Sequence, residues 1–341
     1  MKKLTGLILV ISINYAILTT GCTKNCNIDQ INTCKKSNNI DCLKDIIKNN
    51  SCQASIRFEA LDNIASIESE KATDVIISYL ENNDPAIREK ATRILGKRKD
   101  VKALKPLLKA LKDSNQDVSD SAAISINNIG YQNEELITSL KNLLKNEHHY
   151  IRANALLIAK NIKDKELIEY YMAALHDEEL LVKLRAAEAI NKLGDEGKNI
   201  LINAYKDQNA EVRLVIIGTL GENYSDIAQE TLIKALNDQS YLVRAEAARQ
   251  SGINKIRKAI NPLLESLNDE EAQVRGFAAH ALGKLQAKQA IKPLIELLQN
   301  DEDFVKREAE KALKNITGED FKQNYNDWIN WFESGNKELN E

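Results

Sequence analysis

The sequence predicts an all-α protein, a right-handed α-solenoid of about nine two-helix repeats behind a disulfide-stapled N-terminal cap. Three observations carry this. A small hydrophobic anchor, usually followed by Arg and with Ala four places on, recurs at Ile56, Ile87, Val118, Ile151, Val182, Val212, Val243, Val274 and Val305, with gaps of 31, 31, 33, 31, 30, 31, 31 and 31 residues. A fixed period in this range means stacked supersecondary units, each burying its apolar face on its neighbours. Composition favours helix, with 5% aromatic residues and only four prolines in 341. All five cysteines fall at 22, 26, 34, 42 and 52, which marks a dedicated N-terminal device instead of scattered core thiols.

Residues 1–21 read as an export signal. Lys2 and Lys3 form a basic start, Leu4 to Leu18 an apolar run broken by Ser12, Asn14 and Tyr15, and Thr19, Thr20 and Gly21 are small. The run is short and polar-punctured for a permanent membrane span. Gly21-Cys22 resembles the lipobox of bacterial lipoproteins, although Leu18 stands four places before the cysteine and Thr19 where Leu is usual. The resemblance implies that Cys22 becomes the lipidated first residue of the mature chain, held in the bacterial cell envelope. Thr23 is not the Asp that retains such proteins at the inner membrane in enteric-type bacteria, which implies the outer membrane, on its periplasmic or surface face. Cysteine parity agrees: with Cys22 lipidated, four cysteines remain, enough for two disulfides in an oxidising compartment.

Residues 22–52 read as a lipidated tether and a cysteine-rich helical cap. Helical stretches over Asn27–Lys36 and Asp41–Lys48 flank the turn residues Ser37-Asn38-Asn39. Three disulfide connectivities are open to four cysteines. Folding the segment as an antiparallel hairpin favours the nested pairs Cys34–Cys42 near the tip and Cys26–Cys52 at the base. A metal site is the competing reading, but spacings of eight, eight and ten lack a CxxC knuckle.

Residues 53–318 form the array. The first helix of each step buries a residue at anchor +4: Ala60, Ala91, Ala122, Ala155, Ala186, Ile216, Ala247, Ala278 and Ala309. Gly96, Gly130, Gly194, Gly221, Gly252 and Gly283 are expected to stop these helices in the left-handed conformation. The second helix carries an apolar stripe, such as Ala103, Leu104, Leu107, Leu108 and Leu111. Pro106, Pro262 and Pro293 sit early in that helix, and Pro85 follows Asp84 as a cap-then-Pro start, where a missing N–H is tolerated. The pattern Val-Arg-x-x-Ala-Ala-x-x-Leu-Gly followed by Ala-Ile/Leu-x-Pro-Leu-x-x-x-Leu resembles HEAT repeats, most of all the short type found in phycobilin lyases. It implies paired helices stacked in a curved solenoid with second helices on the concave side. The repeated Arg57, Arg88, Arg152, Arg213, Arg244 and Arg275 are expected to be structural, pairing across repeats with acids near the anchors such as Asp84, Asp117, Glu179, Glu211, Asp238, Glu271 and Glu302.

Residues 319–341 hold Phe321, Tyr325, Trp328, Trp331 and Phe332, an aromatic segment that resembles the end piece of many bacterial HEAT-repeat proteins and is expected to cap the array. A formal net charge of -3 argues against generic nucleic-acid binding. The sequence contains no HExxH and no Gly-rich phosphate loop. It also lacks the His-Glu dipeptides by which the HEAT-like deoxyhypusine hydroxylases hold iron. The expectation is therefore a non-enzyme without metal or cofactor, an envelope-anchored lipoprotein presenting a solenoid as a protein–protein interaction scaffold. A lyase- or isomerase-like cradle and a purely structural envelope component are the alternatives. Because Arg and Ala are shared by every step, specificity is expected where the steps differ, on solvent-side positions of the second helices. Those are Lys102, Lys105 and Lys109, a basic strip, and Glu166, Glu169, Tyr170 and His176, an acidic strip with an aromatic. A protein or peptide partner is expected there.

Overall fold

A computed structural model describes residues 26–334, apart from 163, 208 and 223 and the side chain of Asn300; the stretch expected to be an export signal, and Cys22, lie outside the described residues. Among the described residues there are twenty α-helices and no strand. Contacts divide the chain into two compact units at Ser139/Leu140.

The first unit opens with the cap. Helices α1 (Ile28–Lys36) and α2 (Ile40–Lys48) start at Asn27 and Asn39, whose side chains each accept an amide hydrogen bond three residues on. Asn38, at φ 48°, supplies the left-handed turn between them. Disulfides join Cys26 to Cys52 and Cys34 to Cys42, the nested arrangement. The buried face of α2, formed by Leu43, Ile46 and Ile47, packs on α3 (Ala54–Ala65) and so covers the open end of the first repeat. The unit continues with α4 (Glu70–Ser78), α5 (Pro85–Arg98), α6 (Leu104–Ala110), α7 (Gln116–Ile129) and the start of α8 (Glu134–Leu143), the helix in which the division falls.

The second unit holds α9 (His149–Ala159), α10 (Ile168–Ala174), α11 (Leu180–Asn191), α12 (Asp195–Ala204), α13 (Ala210–Glu222), α14 (Asp226–Lys234), α15 (Tyr241–Ile253), α16 (Ile260–Ser266), α17 (Ala272–Leu285), α18 (Ile291–Asn300), α19 (Asp303–Thr317) and α20 (Tyr325–Glu333). Within each unit, first helices pack on first helices of the adjacent repeat, as α5 does on α7 and α15 on α17. All nine anchor +4 residues are fully buried. The second-helix stripe Ala103, Leu104, Leu107, Leu108 and Leu111 is buried as well, with Leu104 and Leu108 keeping slight exposure. The aromatic segment belongs to the array itself: α20 packs on α18 as the second helix of the ninth pair. Trp328 is wholly buried there, its Nε1–H donating to the Lys322 carbonyl at 2.8 Å and its ring meeting Phe321 edge-to-face at 4.9 Å.

The helix stops require a correction. Of the six glycines only Gly130 ends its helix in the left-handed conformation, at φ 68° and ψ 11°; Gly194 also has a positive φ, 77°, but at ψ -140° it opens α12 as its N-cap. They stand at anchor +12, and in other repeats Lys99, Lys255 and Gln286 hold that position with φ 51–54°. Gly96, Gly221, Gly252 and Gly283 stand three places earlier, inside the helices. They are small because the next first helix is close: a Cβ on Gly252 would lie 2.7 Å from the Ala281 Cα, and one on Gly283 would lie 2.6 Å from the Ala312 Cα.

Candidate functional site

The basic strip in the first unit is bridged by acids. Lys102 Nζ, on the 3-10 turn before α6, reaches Glu70 at 2.8 Å and Asp74 at 2.7 Å, both on α4. The Asp74 and Glu70 carboxylates raise the pKa of Lys102 above the usual lysine range. Lys105 lies 3.7 Å from Glu135, and Lys109 lies 2.6 Å from Glu81. Second helices of adjacent repeats are thus stitched across their solvent side, and the face carries mixed charge. Between α4 and α6 a groove of about 790 Å³ opens. Its floor is apolar, with Ile77, Leu80 and Pro106, and Lys105 and Lys109 stand on its rim beside Glu81.

The second unit carries the other predicted residues, of which Glu166, Tyr170 and His176 are tied to neighbouring elements. Glu166 pairs with Lys141, and the Lys145 ammonium lies 5.0 Å above the Tyr170 ring. Glu169 is exposed. His176 Nε2 meets Asp207 at 2.8 Å, and Nδ1 meets the Met172 carbonyl at 3.1 Å. Asp207 first and the Met172 carbonyl second raise the His176 pKa. The two strips lie in different units, so each forms a local site of its own.

The repeated arginines form a regular latch. Arg244 binds Asp269 with both arms, at 2.7 and 2.8 Å, and its Nη1 donates to the Asp238 carbonyl at 3.0 Å. Arg88–Asp113, Arg152–Asp177, Arg213–Asp238 and Arg275–Asp301 repeat this bidentate pairing. Each guanidinium fastens the loop before its own helix to the loop before the next, a fork geometry that Lys cannot reproduce. Burial alone would push the Asp238 carboxyl up, but Arg213, the Tyr205 hydroxyl and the Ser240 amide hold it below the usual carboxylate range. The partner is the aspartate that opens each loop, so Asp113, Asp177, Asp269 and Asp301 take the places expected of Asp117, Glu179, Glu271 and Glu302. Asp84 and Asp238 do pair, with Arg57 and Arg213, and Glu211 pairs with the buried Lys183. In the third repeat Ser119 stands at the arginine position and bonds its own side of the loop, at the Leu111 carbonyl, 2.7 Å away.

The profile of HEAT repeats matches residues 40–127, 137–221, 198–265 and 230–314. The chain belongs to the HEAT-repeat family. No curated protein matches it in sequence. Among solved structures it is similar to yeast importin-beta (Kap95p), with 13% identity over 84% of this chain and 48% of that one at a TM-score of 0.55. Kap121p is similar at 14% identity, 88% and 38% coverage and a TM-score of 0.54. The Escherichia coli protein YibA aligns at 20% identity over 78% of this chain and 98% of its own, with a TM-score of 0.46. The chain spans less than half the length of Kap95p and Kap121p, and these likenesses concern the fold.

The HEAT register also exposes a surface that sequence reasoning missed. On the first helices of the second unit, a groove of about 660 Å³ runs between α11 and α13. Leu180, Leu181 and Leu184 of α11 line it while remaining 44%, 44% and 40% exposed. The signal was present in the sequence at anchor -2, -1 and +2, where α5 has Pro85, Ala86 and Glu89.

Proposed function

We propose that this HEAT-repeat chain is a non-catalytic protein-interaction scaffold, exported and tethered to the bacterial envelope by lipid on Cys22. The observation that carries the binding reading is the groove between α4 and α6, where Lys105 and Lys109 rim an apolar floor. Solvent-side residues that differ from repeat to repeat meet an accessible apolar surface there, the combination of anchor and polar rim that partner proteins use. HEAT structures with protein partners support the same reading: Kap95p binds RanGDP, and Kap121p is bound to Ste12p. The export reading is supported by the apolar segment before Cys22 and by two disulfides, which persist in oxidising compartments.

A photo-cross-linking amino acid at Lys105, activated in living cells, tests the binding. A discrete light-dependent adduct with a protein, weakened by Lys109→Glu in the same chain, is expected. Absence of an adduct, or one indifferent to Lys109→Glu, contradicts the assignment. The tether is tested separately, since Cys22→Ala should abolish fatty-acid incorporation and release the protein from membranes.

A further inference from the structure

The groove between α11 and α13 is built at some expense to the helix that forms its floor. Gly218 lies inside α13 at anchor +6, where every other repeat carries a side chain, from Asp62 in the first to Lys311 in the ninth. Glycine inside a helix is unfavourable relative to alanine. At Gly252 and Gly283 the approach of the next helix compels it. At Gly218 it does not: an added Cβ would meet only the Glu246 Oε1 at 3.5 Å, ordinary contact. The missing side chain opens the trough beside Leu184 and Leu214, and packing gives no other reason for it.

The charges around the trough are unequal in their commitments. Lys160 is bound to Glu188 at 3.0 Å, and both arms of Arg249 are bound to Glu246 at 2.7 and 2.6 Å. Arg185 and Glu222, also on the groove wall, stand in no ion pair among the described residues. By register they are seven helix positions apart, about 10 Å along the axis at the α-helical rise. The three leucines remain too exposed for a pocket that encloses a small molecule, which normally buries most of its ligand. The surface instead fits a partner that brings its own apolar stripe and lies along two parallel helices.

We infer that the trough between α11 and α13 is a docking site for an amphipathic helix of a partner protein. Its aliphatic side chains fill the space over Gly218 and against Leu180 and Leu184. An acidic residue of the partner meets Arg185, and a basic one about two turns away meets Glu222. This surface lies on the first helices, so it is independent of the Lys105 groove and survives if that assignment fails.

A displayed library of helical peptides tests it, with Leu fixed at i, i+3, i+4 and i+7 and other positions randomised among polar residues, selected on the purified protein. Enriched peptides should carry an acid and a base seven residues apart and bind the wild-type chain. They should lose roughly tenfold or more in affinity for Gly218→Leu, the loss expected when an anchor side chain is excluded. Arg185→Glu, a change at a half-buried position whose folding is checked by circular dichroism, should reverse the charge preference of the peptides selected. Equal binding to Gly218→Leu, enrichment without the charge pair, or no enrichment overturns the proposal. So does concentration-dependent dimerisation that Gly218→Leu abolishes, because the occupant is then a second copy of this chain.

Discussion

Single residues in this protein owe their identity to the distance of the next repeat. Gly283 and Gly218 look alike in sequence and lie inside first helices, yet the first is pressed against the Ala312 backbone and the second is open. Gly283→Ala is therefore expected to destabilise the protein by about 1–3 kcal/mol through overpacking. Gly218→Ala should stabilise it by about 0.5–1 kcal/mol by relieving the entropic penalty of a helical glycine. Urea unfolding of the two variants checks both signs, and the same sign for both contradicts the packing assignment. The recurrence of glycine was legible in the sequence, but its cause was not. Left-handed stops and close approaches select the same residue, and only the backbone separates anchor +9 from anchor +12. The arginine partners were hidden for a related reason. Several acids crowd each loop, and the fork of Arg88 reaches Asp113, not Asp117, because Asp113 opens the loop and also caps the Asn115 amide at 2.9 Å.

At the scale of elements, the two-helix period and the nested cap were readable because both follow from local spacing. The cap consists of two nine-residue helices, too short to hold alone. Cys26–Cys52 closes a separation of 26 residues around them. Replacing both of these cysteines by Ser should destabilise the cap by about 2–4 kcal/mol, the usual contribution of such a cross-link. Limited proteolysis would read this as new cleavage within residues 27–52 ahead of any cleavage in the repeats. Cleavage beginning in the repeats instead would mean that the cap is held by its packing on α3 alone. The aromatic end piece, expected as a separate cap, became the second helix of the ninth pair because the buried Trp328 and Phe332 supply the stripe that leucines supply elsewhere. The α11–α13 trough was the least legible element: its leucines are ordinary helix formers, and the sequence does not show which of them stay exposed.

For the whole molecule, the latches set the response to pH. Asp113, Asp177, Asp238, Asp269 and Asp301 are pushed up by burial and held down more strongly by their arginines and loop amides, so each ends below its ordinary value. A depressed carboxylate contributes stability that is fully present above its unfolded pKa, about 3.9, and is lost as pH falls through the folded value. Melting temperature should therefore hold between about pH 7 and 5 and fall steeply below about 4. His176 has the opposite sign, its contribution fading as pH rises through a folded pKa raised by Asp207, and it is exposed enough for that effect to be small. A decline already complete at pH 5 would show that other groups govern acid stability.

The central claim is that residues shared by the repeats build the molecule while residues that differ between repeats bind its partner. The most direct test measures folding and partner adduct on the same two proteins, each carrying the photo-cross-linker at Pro106 on the Lys105 groove. Arg244→Ala strips a nearly buried Asp269 of its bidentate partner and should lose about 2–4 kcal/mol in unfolding free energy. It should still form the adduct at temperatures where it is folded. Lys105→Glu/Lys109→Glu breaks only solvent-exposed pairs, which contribute little to stability, so it should keep its stability and lose the adduct. Loss of the adduct from folded Arg244→Ala, or its retention by the lysine variant, would contradict the division of labour.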